Sequence, residues 1–242
     1  MAMNSSLTHS RLLSLNFETQ NPIITIDGPA GTGKSTIAYL IAEKLGWQYY
    51  NTGALYRMLV GWMLEQKWID GLHDHPDLML KDRLEKLVFE VKRHTELEYF
   101  INHQNVTHYT TNSALSLLVS KIASWEIVRG YLLKVQRDLG LKGYCIFEGR
   151  DMGSVVFPDA WLKFYLSADP AVRAKRRFDQ LNEDLSKKSS YEEILEQIKL
   201  RDYQDENRKI APLCIPKGAI IIDTTFLSIE DVVSQMELRT MH

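Results

Sequence analysis

Apolar positions along the chain change period several times, and each change marks an element. Pro22-Ile23-Ile24-Thr25-Ile26 is a short β-branched run that ends at Asp27, the pattern of a buried strand. A glycine-rich stretch follows, Gly28 to Gly33. Ile37, Leu40, Ile41 and Leu45 then recur at helical spacing, and Gly46 supplies a stop. The alternation returns later. Tyr144-Cys145-Ile146-Phe147 reads as a strand ending at Glu148, and Leu162-Lys163-Phe164-Tyr165-Leu166 as another. Asp169-Pro170 opens a helix, with Asp at the cap and Pro first inside it. Ser190 and Glu193 form a capping box for the next. Ala219-Ile220-Ile221-Ile222 is a last strand before a terminal helix from about Ser228. Strands alternating with helices predict an α/β fold, a parallel sheet covered on both faces.

The middle of the chain breaks this rhythm. Leu87–Val91, Leu97–Ile101 and Asn105-Val106-Thr107 read as short strands joined by polar turns. Consecutive strands with short links are antiparallel, so this stretch reads as an inserted subdomain. Residues 1–21 are rich in Ser, Thr and Asn, show no periodicity and read as a flexible extension.

Composition narrows the function classes. The 242 residues are 45% hydrophobic and 25% charged, an ordinary globular balance. The formal charge is -2, from 29 Lys+Arg against 31 Asp+Glu, which argues against a general nucleic-acid binder. No apolar run approaches the ~20 residues a membrane-spanning helix needs. Arg11-Leu12-Leu13-Ser14-Leu15 is too short for a secretory signal, and Glu18 follows it. The two cysteines, Cys145 and Cys214, do not make a cysteine-only zinc site and require no disulfide. The expectation is a cytoplasmic protein with reduced thiols.

Gly28-Pro29-Ala30-Gly31-Thr32-Gly33-Lys34-Ser35 matches G-x-x-x-x-G-K-[ST], between a predicted strand and a predicted helix. Glycines let the backbone N–H groups wrap a phosphate, and the helix N-terminus adds its dipole. Lys34 suits the β/γ-phosphates, and the Ser35 hydroxyl suits Mg²⁺. The D-x-x-G and N-K-x-D patterns of GTPases are absent.

A second set of residues suits another anionic ligand. Thr52, Arg150 and Asp151 follow predicted strands, and open α/β sheets bind ligands beyond the carboxyl ends of their strands. Arg57 lies within a turn or two of the helix after Thr52. Taken singly, Arg57 or Arg150 also fits a surface ion pair. On the helix after Ser190, Ile194, Ile198, Arg201, Asp205 and Arg208 lie within about 80° of one another. A stripe that begins apolar and ends charged points to a cleft, with an ordinary ion-pair cluster as the alternative. Arg173, Arg176 and Arg177 share a helix face. They form either a solvated patch or a lid that neutralises charge on a transferring phosphoryl group.

Together these segments resemble bacterial cytidylate kinases, nucleoside monophosphate kinases, from about Ile23 to the C-terminus. The resemblance rests on I-T-I-D-G-P-A-G-T-G-K-S-T from Ile24, T-G-A-L-Y-R from Thr52, G-R-D-M-G-S-V-V-F-P-D-A from Gly149 and R-D-Y-Q-D-E-N-R-K-I-A-P-L from Arg201. It implies a five-stranded parallel core at 22–52, 130–176 and 206–242. It also implies a nucleotide-binding domain at 53–129, enlarged by a small antiparallel sheet, and a helical lid at 177–205. ATP would lie on Gly28, Pro29, Ala30, Gly31, Thr32, Gly33, Lys34, Ser35 and Thr36. CMP or dCMP would use Thr52, with Arg57, Arg150 and Arg208 on its phosphate. Arg201 and Asp205 would hold the ribose and the charge network. Ser120, Arg129 and Asp151 would face the base. Asp151 and Ser120 would accept from the cytosine amino group, while Arg129 would donate to the ring acceptors.

The implied reaction is in-line transfer of the ATP γ-phosphoryl group to an acceptor phosphate. That acceptor is already anionic near neutral pH and needs no general base. Lys34, Arg150, Arg177 and Arg208 would neutralise charge, with Mg²⁺ on Ser35 and Glu148 orienting it through water. The resemblance also implies a monomer. The chain departs from the family pattern at Asn51 and Glu148, where Asp is usual, and at Tyr109–Ala114, which lacks the expected arginine and glutamate. The alternatives are a kinase of this fold with another acceptor, such as UMP, AMP or a non-nucleotide, and an inactive nucleotide-binding switch. His73-Asp74-His75 reads as a surface loop rather than a metal site.

Overall fold

The computed structural model describes residues 22–69, 78–93, 97–112, 115–182 and 190–240. The expected extension at 1–21 and the loop His73-Asp74-His75 lie outside the described residues. Two compact units emerge: one from the residues up to Tyr50 together with those from Gly140 onward, the other from Asn51–Leu139.

The first unit is built on a five-stranded sheet. Its strands are β1 (Ile23–Asp27), β2 (Gln48–Asn51), β6 (Cys145–Gly149), β7 (Leu162–Ser167) and β8 (Ile220–Asp223), in the order β2-β6-β1-β7-β8. β1 is central and parallel to both neighbours, with Ile24 opposite Ile146 and Leu162. β7 and β8 are also parallel. Four of these strands follow from the apolar runs. β2 does not, because Gln48-Tyr49-Tyr50-Asn51 lies at the sheet edge and carries no alternating apolar pattern.

Helix α1 (Lys34–Leu45) buries Ile37, Ala38, Ile41, Ala42 and Leu45. The spacing also points to Leu40, but Leu40 is exposed. It falls 60° beyond the edge of the buried arc at 100° per residue, and Ala38 and Ala42 fill the other side. Gly46 ends the helix in the left-handed conformation at φ 68. Ile24, Ile26, Ile146, Phe164 and Leu166 form one apolar cluster with this helix face and with Val232, Val233 and Met236 of α8 (Ile229–Thr240). Each such side chain contributes roughly 1.5–3 kcal/mol relative to exposure.

Helices α6 (Pro170–Asn182) and α7 (Tyr191–Asn207) pack on each other through Ala174, Ile194 and Ile198. Both starts follow the cap chemistry. Asp169 Oδ1 accepts from the Ala171 N–H at 2.7 Å, and Ser190 and Glu193 form the reciprocal capping box.

The second unit holds α2 (Thr52–Glu65), α3 (Leu78–Glu85), α4 (Ser116–Ile122) and nearly all of α5 (Glu126–Gly140). Its sheet is antiparallel, β3 (Phe89–Arg93), β4 (Leu97–Ile101) and β5 (Gln104–Asn105), as the polar turns predict. Asn102 and His103 both take positive φ, 48 and 66, which closes the two-residue β4–β5 turn with a twist matching the strands. The expected third strand ends early. Thr107 leaves it for a 3₁₀ turn (Thr107–Thr111), and its Oγ1 accepts from the Tyr99 N–H at 2.9 Å. Tyr109 in that turn lies against Gly61, where a Cβ would meet its ring at 2.4 Å.

Among the described residues no helix is long and apolar enough to cross a membrane. Neither cysteine forms a disulfide; Cys145 is buried and Cys214 exposed.

Candidate active site

β1 delivers the chain to the glycine-rich loop at the carboxyl end of the sheet. Gly28 has φ 143, and a Cβ there would sit 2.1 Å from the Leu166 carbonyl oxygen, so the backbone itself occupies that space. Gly31 and Gly33 have φ 80 and 89. Gly33 is the N-cap of α1 and no side chain caps the helix, which leaves its first N–H groups to an anion. Pro29 and Thr32 are buried, Ala30 is half-buried, and Ser35 and Thr36 are exposed on the first turn of α1.

Lys34 is buried beneath the loop. Its Nζ donates to the Pro29 carbonyl at 2.6 Å and to Thr32 Oγ1 at 3.4 Å. Burial pushes the ammonium well below the usual lysine range. The positive charge of Arg150 adds to that shift, and Glu148 opposes it. A polyanion would relieve this stress, because it supplies the counter-charge that burial removes.

Glu148 ends in the same place from β6. It is buried, and its Oε1 accepts from the Ser35 hydroxyl at 2.5 Å and the Tyr49 hydroxyl at 2.9 Å. Its longer side chain, where an Asp is usual, still reaches the P-loop serine. Asp27, the last residue of β1, turns the other way. Its carboxylate accepts from the Met152 N–H at 2.8 Å and the Gly153 N–H at 2.7 Å. Burial raises its pKa to about 6, against the lowering effect of those two hydrogen bonds.

The charged residues after β6 meet the end of α7. Arg150 Nε donates to Asp205 Oδ2 at 2.8 Å. Arg208 Nη2 lies 3.3 Å from Asp151 Oδ1, and its Nη1 lies 4.0 Å from Asp205 Oδ1. Asp151 and Asp205 are buried, and both arginines are mostly covered. Desolvated alternating charges at short range make a built network rather than a solvated face. The expected stripe on α7 holds for Ile194, Ile198 and Asp205, whereas Arg201 is exposed and Arg208 lies one residue past the helix end.

The three arginines of α6 separate. Arg173 is buried; it donates to the Ala168 carbonyl at 2.9 Å and the Ala30 carbonyl at 3.1 Å, and pairs with Asp202 at 2.6 Å. Arg176 donates to the Thr224 carbonyl at 2.6 Å, and Thr224 Oγ1 donates to the Thr32 carbonyl at 3.3 Å. Arg177 is exposed. The shared face therefore resolves into two braces of the phosphate loop and one outward cation.

In the second unit, Thr52 is buried at the start of α2 and Asn51 caps that helix through its Oδ1, which accepts from the Ala54 N–H at 2.8 Å. An Asp-to-Asn departure here retains the capping oxygen. Arg57 Nε donates to the Thr110 carbonyl at 2.6 Å. Ser120 is half-buried on α4, and the buried Arg129 of α5 donates from Nη1 to the Ala123 carbonyl at 3.2 Å.

The family model of cytidylate kinases matches residues 24–241. The chain belongs to the cytidylate kinase family. It is 39% identical over 214 residues to the cytidylate kinase of Thermodesulfovibrio yellowstonii, covering 88% of this chain and 94% of that one. The cytidylate kinase of Protochlamydia amoebophila is 42% identical over 215 residues, covering 87% and 92%. That of Fervidobacterium nodosum is 41% identical over 213 residues, covering 88% and 93%.

As a cytidylate kinase family member the chain is a phosphotransferase, and its P-loop and arginine network have the chemistry for that role. Three features around the phosphate loop are not evident from the sequence: the side-chain bonds of Asp27, the contact of Tyr49 with Glu148, and the bracing of Ala30 by Arg173. Asp27 closes an apolar run and so reads only as a strand end. Tyr49 sits on the edge strand that periodicity does not reveal. Arg173 is indistinguishable by spacing from its solvated neighbour Arg177.

Proposed function

We propose that this kinase transfers the γ-phosphoryl group of ATP to a phosphate oxygen of CMP or dCMP, giving CDP or dCDP. The observation that carries the reading is the pairing, at the strand ends of one unit, of an uncapped phosphate loop with the Arg150–Asp205–Arg208–Asp151 network. One suits a triphosphate; the other suits a second phosphate.

The roles follow from charge and position. The backbone from Gly28 to Thr36 cradles the β- and γ-phosphates, and Lys34 follows the developing negative charge. Arg57, Arg150 and Arg208 hold the acceptor phosphate, with Thr52 beside it. Arg201 and Asp205 serve the ribose. Ser120, Arg129 and Asp151 read the base, and uracil, with an oxygen in place of the amine, would face the Asp151 carboxylate unfavourably. Arg177 neutralises charge as part of a lid at 177–205. The acceptor phosphate is its own nucleophile, so positioning and charge neutralisation are the protein's whole task.

Ser35 and Glu148 present a hydroxyl and a carboxylate oxygen 2.5 Å apart, an all-oxygen donor set that fits Mg²⁺. When bound, Mg²⁺ neutralises charge on the β- and γ-phosphates. Glu148 would orient the ion's water, with Tyr49 holding the carboxylate in place. We further assign residues 53–129 to nucleotide-monophosphate binding, a monomeric state, and a cytoplasmic setting that keeps both thiols reduced.

The test is ADP formation with Mg²⁺ and ATP over a panel of CMP, dCMP, UMP, AMP and shikimate. Turnover on CMP or dCMP alone is expected. Preference for another acceptor keeps the kinase and removes the base assignment. ATP binding without turnover on any acceptor overturns the catalytic reading.

A further inference from the structure

Asp27 belongs to two structures at once. Its backbone ends β1 and leads directly into Gly28, the first residue of the phosphate loop. Its side chain leaves that loop and takes the Met152 and Gly153 N–H groups, one on each carboxylate oxygen. Those amides open a single π-helical turn, Met152–Val156, which begins immediately after Arg150 and Asp151. Asp27 is fully buried, so no water stands in for either bond. Two charge-assisted bonds to consecutive amides fix direction as well as distance.

The turn is also confined by close packing at Gly153, on the sheet face that Asp27 shares with Thr25. A Cβ on Gly153 would meet Thr25 Oγ1 at 2.8 Å, and Lys163 Cδ and Pro216 Cγ at 3.0 Å. The segment carrying Arg150 and Asp151 thus runs into a turn fixed both by the Asp27 carboxylate and by close packing on Thr25, Lys163 and Pro216. The two ends of the reaction, triphosphate loop and acceptor arginine, are registered through one side chain.

We propose that Asp27 is a positioning residue for the acceptor: through the Met152 and Gly153 amides it sets Arg150 and Asp151 against the phosphate loop. This rests on the reading of Arg150 and Asp151 as acceptor ligands. Asp27 hydrogen-bonds the backbone of this turn and places Arg150 and Asp151 through it. Asparagine has the same shape but turns an NH₂ toward one of the two N–H groups, so one bond is lost and two donors face each other. Misplacement of a reacting group by about an ångström costs on the order of 10²-fold.

Steady-state kinetics of Asp27→Asn, Gly153→Ala and Asp151→Asn test this. Asp27→Asn and Gly153→Ala, which disturb the turn through different contacts, should each raise KM for CMP on the order of tenfold and lower kcat. KM for ATP should stay within about twofold. A wild-type KM for CMP in Asp27→Asn overturns the proposal, as does an equal rise in both KM values, which would mark general damage to the loop. Asp151→Asn separates the two layers. If it leaves KM for CMP unchanged, the acceptor reading falls and the proposal with it; if it raises KM for CMP while Asp27→Asn does not, only the positioning role falls. Should Asp27→Asn fail to fold, Gly153→Ala decides by the same criteria.

Discussion

The Ser35 hydroxyl donates a 2.5 Å hydrogen bond to Glu148 Oε1, joining the first turn of α1 to the end of β6. Tyr49 donates to the same oxygen at 2.9 Å. Two hydroxyl donors hold one carboxylate oxygen, so the orientation of Glu148 is set before any cation arrives. Replacing Glu148 with Gln keeps the shape and removes the charge. The expected result is a loss in kcat of about 10²-fold, typical when one electrostatic group is withdrawn from a phosphoryl-transfer site. Initial rates across a Mg²⁺ titration check this, and an unchanged kcat at all Mg²⁺ concentrations would remove Glu148 from the chemistry.

Lys34→Met separates activity from stability. The lysine is held in a buried position that disfavours its charge. Methionine fills similar volume without that penalty, so the variant should melt no lower than wild type, while kcat falls by about 10³-fold. Thermal unfolding and single-turnover assays on the same preparation provide both readings. A lower melting temperature would contradict the electrostatic account.

Asp27 predicts a pH dependence of stability with a definite sign. Burial raises the pKa of its carboxylate to about 6 in the folded chain, from an ordinary Asp value of 3.8. The folded state therefore binds more protons than the unfolded state between these values, and the contribution of Asp27 is most favourable below about pH 4. It is lost as pH rises through 6, by about 3 kcal/mol in all. Urea unfolding of wild type and Asp27→Asn from pH 4 to 7 isolates it. The stability difference should move against wild type as pH rises, and a flat difference would show that the carboxylate is not strained by burial.

Asp151→Asn tests base recognition. Its carboxylate lies beside Arg208 and is buried. An amide can donate to the uracil oxygen where a carboxylate cannot. The ratio of kcat/KM for CMP over UMP should fall by about 10²-fold, mostly through loss on CMP. An unchanged ratio in a competition assay would move base choice to other residues.

Much of this architecture can be read in the sequence, because buried parallel strands and capped helices leave unambiguous marks. β1, β6, β7 and β8 are dominated by apolar residues, and the caps at Asp169 and Ser190 behave as their chemistry dictates. The phosphate loop is legible for the same reason: its glycines have no alternative use at φ values of 80 to 143. What stays hidden depends on tertiary partners. β2 is a strand only because β6 lies beside it. Arg173 and Arg177 occupy one helix face by spacing, yet one is buried against Ala30 and Asp202 and the other is exposed. The π-turn at Met152–Val156 has no periodic signature of its own, and its start is held by Asp27, a residue 125 positions earlier.

Gly28→Ala should be among the most damaging single changes. The new Cβ would lie 2.1 Å from a backbone oxygen of β7, at a φ of 143 that alanine resists. Backbone cannot yield as a flexible side chain can, so a loss of at least about 2 kcal/mol is expected. Urea denaturation gives the value, and near-wild-type stability would mean that the loop has room the geometry denies.

The position of β1 in the sheet sets the order in which the nascent protein matures. Ile24 pairs with Ile146 and Leu162, both far downstream, so among the described strands the earliest synthesised lies at the centre of the sheet. Roughly 120 residues must be synthesised before its first partner exists, which takes on the order of ten seconds at about 5–20 residues per second. By the end of that interval the intervening unit, Asn51–Leu139, has been synthesised while the apolar strand ahead of it is still unpaired. An apolar strand held unpaired for that long is exposed to misfolding, so slower translation between residues 24 and 146 is expected to lower the yield of active kinase without changing the stability of the folded protein.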